Sequence, residues 1–212
     1  MRILAFGDSI TLGMWDYEAG GWVNRIGRAL GVTSRKNPED DSTTIYNLGV
    51  SGNSSREILE RFENEVKYRL REEQEIVIII ATGINDSWYI NKEKTTNVSE
   101  NDFRNNLQKL IDLAKKSSTK IFFVGINPVD ESRVNPVPWR PELSYKNELV
   151  DKYDAIIKES CEKNHVDFID IRSAFKEQDY PALLEDGAHP NSAGHKLIFE
   201  TIHNSLADKK II

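Results

Sequence analysis

Five short apolar runs recur along the chain: RILAF, TIYNL, IVIIIAT, KIFFVGI and VDFIDI. Three are rich in Ile, Val and Phe without clean alternation, the pattern of strands covered on both faces. Helical patterns lie between them. SSREILERFENEVKYRL places Ile58, Leu59, Phe62, Val66 and Leu70 at one-face spacing, with Ser54 and Glu57 as a capping box at its start. NDFRNNLQKLIDLAKK repeats the period with Phe103, Leu107, Leu110, Ile111 and Ala114, and NSAGHKLIFETIHNSL with Leu197, Ile198, Ile202 and Leu206. DKYDAIIKESCEKN is a further amphipathic helical stretch. Strand, helix, strand, helix predicts an α/β fold: a parallel sheet with helices on both faces.

Two connections are unusually long: residues 84–100 after the third run and 127–145 after the fourth. Loops of that length in a compact domain carry function or move. Both leave the carboxyl ends of strands, where open α/β sheets place their ligands.

Composition narrows the field. The 212 residues suit one domain spanning 1–212, with no repeat, low-complexity tract or linker to split it. Charged residues make up 29% and net charge is -6, without a basic block, which argues against nucleic acid or an anionic membrane as main partner. The single cysteine, Cys161, permits no internal disulfide and reads as a buried helix thiol. The longest apolar run, IVIIIA, is too short to cross a bilayer, and Met1 leads directly into the first strand. A reducing cytoplasm is the expected location.

The chemistry gathers where the strands end. GDSITLG with Ser9 follows the first, GVSGNS with Gly52 the second, and TGINDS with Asn85 the third. EDGAHPNSAGH with Asp186 and His189 follows the fifth across a short segment. A parallel sheet brings all of these to one rim. They are the parts an acyl-transfer site needs. A serine hydroxyl is a poor nucleophile until a base takes its proton, the base needs a carboxylate to orient it, and the oxyanion needs fixed donors. Each block alone also has an ordinary reading, as a turn, a helix start or a surface residue. Asp170, which closes the last strand, is a minor alternative for the acid. His165, His195 and His203 have no metal-ligand spacing and read as structural or exposed, so no metal or organic cofactor is expected.

The blocks GDSITLG, GVSGN, GIND and DGAHPN resemble the four signature blocks of the SGNH hydrolases, the GDSL lipase/esterase superfamily. The resemblance runs from Ser9 to His189. It implies a flavodoxin-like α/β/α sandwich with strand order 2-1-3-4-5. It further implies Ser9 as nucleophile, Asp186 and His189 as triad partners, and an oxyanion hole from Ser9, Gly52 and Asn85. Ile10 stands where the family's name has Leu, a conservative apolar swap. The chain lacks G-x-S-x-G, so the nucleophile elbow of the α/β-hydrolases is not in use. It also lacks the phosphate-binding motifs of nucleotide enzymes.

The reading is therefore a serine esterase acting on a small-molecule ester. A thioesterase or lysophospholipase using the same site is the alternative, and a silent binding protein on this scaffold the less favoured one. Trp15, Trp22, Trp88, Tyr89 and Trp139 lie in or near segments expected to approach the rim, at least some of them as ordinary core or packing residues. Pro128, Pro136, Pro138 and Pro141 stiffen the loop that carries Trp139. A semi-rigid aromatic wall favours acyl groups of roughly two to four carbons. Oligomeric state is not legible.

Overall fold

A computed structural model describes residues 1–31, 43–70 and 74–212. The chain opens with β1 (Arg2–Gly7), α1 (Ser9–Leu12), α2 (Trp22–Ala29), β2 (Thr44–Gly49), α3 (Ser55–Lys67) and β3 (Ile76–Ala81). It continues through α4 (Ile84–Ser87), β4 (Tyr89–Ile90), β5 (Thr95–Thr96), α5 (Glu100–Lys115) and β6 (Lys120–Val124). The last part holds α6 (Glu131–Val134), β7 (Leu143–Ser144), α7 (Asn147–Asn164), β8 (Asp167–Ile169), α8 (Ile171–Lys176) and α9 (Ser192–Asp208).

Five strands form one parallel sheet in the order β2-β1-β3-β6-β8, which is 2-1-3-4-5 counted over that sheet alone. The expected topology is the observed one. The central strands β1 and β3 are buried along almost their whole length, as their unbroken apolar runs require. Helices α3, α5 and α7 pack side by side in one layer, and α2, α9 and α8 in the other.

The helices bury the faces their periodicity marks. Phe103, Leu107, Leu110, Ile111 and Ala114 of α5 are fully buried. Each larger side chain of that kind contributes about 1.5–3 kcal/mol by leaving water. Phe62 of α3 stacks on Phe6 of β1 with ring centroids 4.7 Å apart. The capping box at α3 is formed: Glu57 accepts from the Ser54 backbone N–H at 2.7 Å, and Ser54 Oγ from Arg56 N at 3.3 Å. Among the described residues, no helix is long and apolar enough to cross a membrane.

Helix α2, the short helices α1, α4, α6 and α8, and a second sheet were not legible in the sequence pattern. Helix α2 buries Trp22, Val23 and Ile26, but with 8 residues it is too short for its period to stand out. The two long loops also meet in a second, antiparallel sheet, β5-β4-β7, with Tyr89 paired to Thr96 and Ser144. Two-residue strands carry no periodic signal, so the ladder arises only when the loops are brought together.

The segment after α1 is held by one carboxylate. Asp16 is buried and accepts from the backbone N–H of Ala19 and Gly21 at 3.1 and 2.9 Å. Arg25 of α2 grips it in two places, Nε at 2.8 Å and an Nη at 2.9 Å, and also donates to Ser192 O of α9 at 3.2 Å. Burial would raise the Asp16 carboxyl, but these donors outweigh it and hold it well below the usual carboxylate range. Removing the cation strands a buried charge. Arg25→Ala is therefore expected to lower stability by about 3 kcal/mol, read as a fall in Tm of roughly 10 °C by calorimetry.

Candidate active site

Strand β1 ends at Gly7, Asp8 caps the following helix by accepting from Ile10 N at 2.9 Å, and Ser9 is the first residue of α1. The turn lies tightly on the sheet: a Cβ at Gly49, the end of β2, would sit 2.2 Å from Leu12 N. Ser9 is buried, and its Oγ lies 2.9 Å from His189 Nε2.

His189 Nδ1 lies 2.7 Å from Asp186 Oδ2. The carboxylate folds back on its own loop, its Oδ1 accepting from Ala188 N at 3.0 Å and His189 N at 2.8 Å. Asn127, buried between the loops, donates to Ala188 O at 3.0 Å and holds the segment down. Burial would push the Asp186 carboxyl up. The hydrogen bond and charge of His189, with the two backbone N–H groups, outweigh it and leave the carboxyl at about 2. Asp186 is thus an anion across the neutral range. Asp170 instead caps α8, accepting from Ser173 N and Oγ at 2.9 and 2.7 Å.

Asn85 and Gly52 line the same cavity as Ser9. Asn85 Nδ2 donates one hydrogen to Asn53 O at 2.9 Å, and its second has no acceptor among the described residues. The Tyr145 hydroxyl lies 3.4 Å from Asn85 Oδ1, so the amide's oxygen faces the phenol and its nitrogen the other way. Gly52 has φ 80°, a left-handed conformation that favours glycine. Arg61 secures the ends of the neighbouring strands, donating to Gly7 O at 3.1 Å, Leu48 O at 2.7 Å and Asn53 Oδ1 at 2.9 Å. The arrangement can deprotonate a hydroxyl, stabilise the imidazolium that results, and face an oxyanion with N–H donors.

The cavity is about 490 Å³ and is walled by Trp15, Trp88, Trp139 and Tyr145 beside Ser9 and His189. Trp22, the first residue of α2, is instead buried in the core, and Tyr89 carries Lys146 Nζ 3.6 Å from its ring centroid. Trp139 is half exposed, as a rim residue would be. Arg140 stacks its guanidinium 5.1 Å from the Trp88 ring. Tyr145 had no signal in sequence, because only the packing of the loop decides which of its side chains turns inward. Cys161 is buried in α7, and burial pushes its thiol up to about 12. His195 is also buried, with Nε2 2.9 Å from Met14 O.

Two further carboxylates lie behind the site. Burial raises Asp8 to about 6, against the opposing Ile10 N–H and the charge of His189. Burial likewise raises Asp86 to about 6, although Ser55 and Thr82 donate to it. An acid raised in the folded state takes up protons on folding, so its stabilisation is complete below its unfolded value and is lost as pH rises through its folded one. Asp8→Asn retains an oxygen for Ile10 N and cannot titrate. The wild type is expected to lose stability relative to Asp8→Asn as pH rises from about 4 to about 6, and to level off above. Urea unfolding midpoints at each pH measure it.

The model of the GDSL-like lipase/acylhydrolase family matches residues 5–197. An acetylxylan esterase of Geobacillus stearothermophilus is 27% identical over an alignment that covers 93% of this chain and 90% of that protein. A lipase/acylhydrolase from Enterococcus faecalis superposes with a TM-score of 0.74 at 23% identity, covering 98% of this chain and 96% of that one. The structure of an acetyl xylan esterase from Geobacillus stearothermophilus superposes with a TM-score of 0.72 at 23% identity, covering 97% and 94%. At those identities the two structures speak for the fold alone. The family match over nearly the whole length makes this chain a member of the GDSL-like lipase/acylhydrolase family, an ester-hydrolysing serine hydrolase.

Proposed function

We propose that residues 1–212 form one domain that hydrolyses short-chain acyl esters, acetyl esters foremost, with Ser9 as nucleophile, His189 as general base and Asp186 as its partner. The observation that carries the reading is the unbroken relay from Ser9 Oγ to His189 Nε2 at 2.9 Å and from His189 Nδ1 to Asp186 Oδ2 at 2.7 Å. Ser9 Oγ attacks the acyl carbon while His189 Nε2 takes the hydroxyl proton. The Asp186 anion stabilises the imidazolium and keeps Nδ1 protonated. The carbonyl oxygen, now an oxyanion, receives the N–H groups of Ser9 and Gly52 and the free hydrogen of Asn85 Nδ2. His189 returns the proton to the leaving alkoxide, the alcohol departs, and an acyl-serine remains. Water then attacks that ester by the same route reversed and releases the acid.

The short acyl group is supported by the aromatic walls around Ser9, and acetyl in particular by the acetylxylan esterase among the relatives. The loop that carries Trp139 is tied to the other long loop at several points. Asn91 N donates to Glu142 O at 2.9 Å, and Ser144 Oγ to Asn91 Oδ1 at 3.0 Å. A wall braced in this way does not yield to a longer chain. A sugar acetate suits the open side, where indole faces can stack on a pyranose ring.

A fluorophosphonate probe is expected to label Ser9. Ser9→Ala is expected to lose labelling and to lower kcat by about 10⁴ or more, and labelling of another serine would overturn the assignment. Against p-nitrophenyl esters of rising length, kcat/KM is expected to peak at roughly two to four carbons, a methylene adding about 0.8 kcal/mol only where there is room. Trp139→Ala is expected to move the peak toward longer chains. A wild-type optimum at long chains refutes the short pocket.

A further inference from the structure

We infer that Trp15 is a positioning residue for the hydrolytic reaction: its indole N–H holds the carboxylate of Asp186 in place for His189. The inference rests on the roles proposed above for Asp186 and His189. Trp15 Nε1 donates to Asp186 Oδ2 at 3.2 Å, the same oxygen that pairs with His189 Nδ1. The other oxygen, Oδ1, is taken by the two backbone N–H groups of the loop. Of the side chains that donate to Asp186, Trp15 and His189 are the two that fix where Oδ2 points. Without the indole, the carboxyl can pivot about its Oδ1 contacts and lose its line to Nδ1.

The backbone of Trp15 supports the same conclusion. Its φ is 67°, in the left-handed region that a bulky aromatic residue rarely enters. Such a conformation persists only where the surroundings over-determine it. Both neighbours do so here. Met14 O is bound at 2.9 Å by buried His195, a histidine that the hydrolytic steps do not use. Asp16 is locked by Arg25 and by the N–H groups of Ala19 and Gly21. Two buried polar anchors, one on each side, thus force the residue between them into a disfavoured conformation that aims its indole at Asp186. Tyr17 braces the ring edge-on, with centroids 6.0 Å apart. Trp15 and Asp186 also line a second groove together with Trp139.

The test is a cycle of Trp15→Phe and Asp186→Ala assayed on p-nitrophenyl acetate. A hydrogen bond to a charged group is the interaction removed, so Trp15→Phe is expected to lower kcat about tenfold. KM is expected to stay within about twofold, since the indole N–H is spent on Asp186 rather than on the substrate. Once Asp186 is gone the indole has no partner to position, so Trp15→Phe is expected to cost nothing further in the Asp186→Ala background. Replacing Trp15 by benzothienylalanine, which keeps the bicyclic ring and lacks the N–H, is expected to reproduce the loss in kcat with Tm unchanged. Wild-type kcat in that analogue overturns the inference, as does an equal loss from Trp15→Phe with and without Asp186. Wild-type activity in Asp186→Ala instead overturns the assignment of the acid on which the inference stands.

Discussion

The hydrogen bond between Ser9 and His189 joins residues 180 positions apart, and the rest of the site exists to make it possible. Such a bond needs two chain segments delivered to one place with little freedom left. The parallel sheet does this, because every strand in it releases its chain at the same edge. Strand β1 lies between β2 and β3, so Ser9 emerges flanked by the segments that carry Gly52 and Asn85. The segment with Asp186 and His189 arrives after the last strand and is tied down by Asn127 from the loop after β6.

Three carboxylates near this point behave differently, and their surroundings are the reason. Asp186 has four donors, and its anion is held down to about 2 in spite of burial. Asp8 and Asp86 are more deeply buried and rise to about 6. Desolvation acts on all three: it prevails at the two deeper carboxylates, even though Ser55 and Thr82 donate to Asp86, and is outweighed at Asp186 by the hydrogen bonds and charge of His189. The relay thus has a permanent anion at its outer end, while the two inner carboxylates serve the local architecture: Asp8 caps α1, and Asp86 ties α4 to the start of α3 through Ser55.

The loops around the site are stiffened by polar anchors as well as by apolar packing, since Val98, Val129, Val134, Val137 and Leu143 are buried in the core. Asp16 and Arg25 fasten the segment after α1 to α2 and α9. Arg61 collects the carbonyls of Gly7 and Leu48 at the sheet's edge. The short antiparallel sheet β5-β4-β7 laces the two long loops together. A half-exposed wall such as Trp139 is held by this bracing together with the buried side chains of its own loop, Val137 and Leu143.

The strands, the main helices and the residues at the strand ends were legible because each leaves a local mark. Unbroken apolar runs such as IVIIIA, rich in Ile and Val, read as covered strands, the spacing from Phe103 to Ala114 marks one buried helix face, and GDSITLG and DGAHPN stand out as turn-prone stretches rich in reactive side chains. Strand order came from family resemblance and not from periodicity, since no single run states its neighbours. Helix α2 and the second sheet left no such mark and needed the assembled chain to appear. The same holds for the side chains of the walls. Trp15, Trp22 and Tyr89 looked alike in sequence, yet one donates to Asp186, one is sealed in the core and one lies beneath Lys146. The physical reason is one of range. Period and turn chemistry are set by interactions a few residues apart, whereas the direction of a loop side chain is set by whatever the fold places against it.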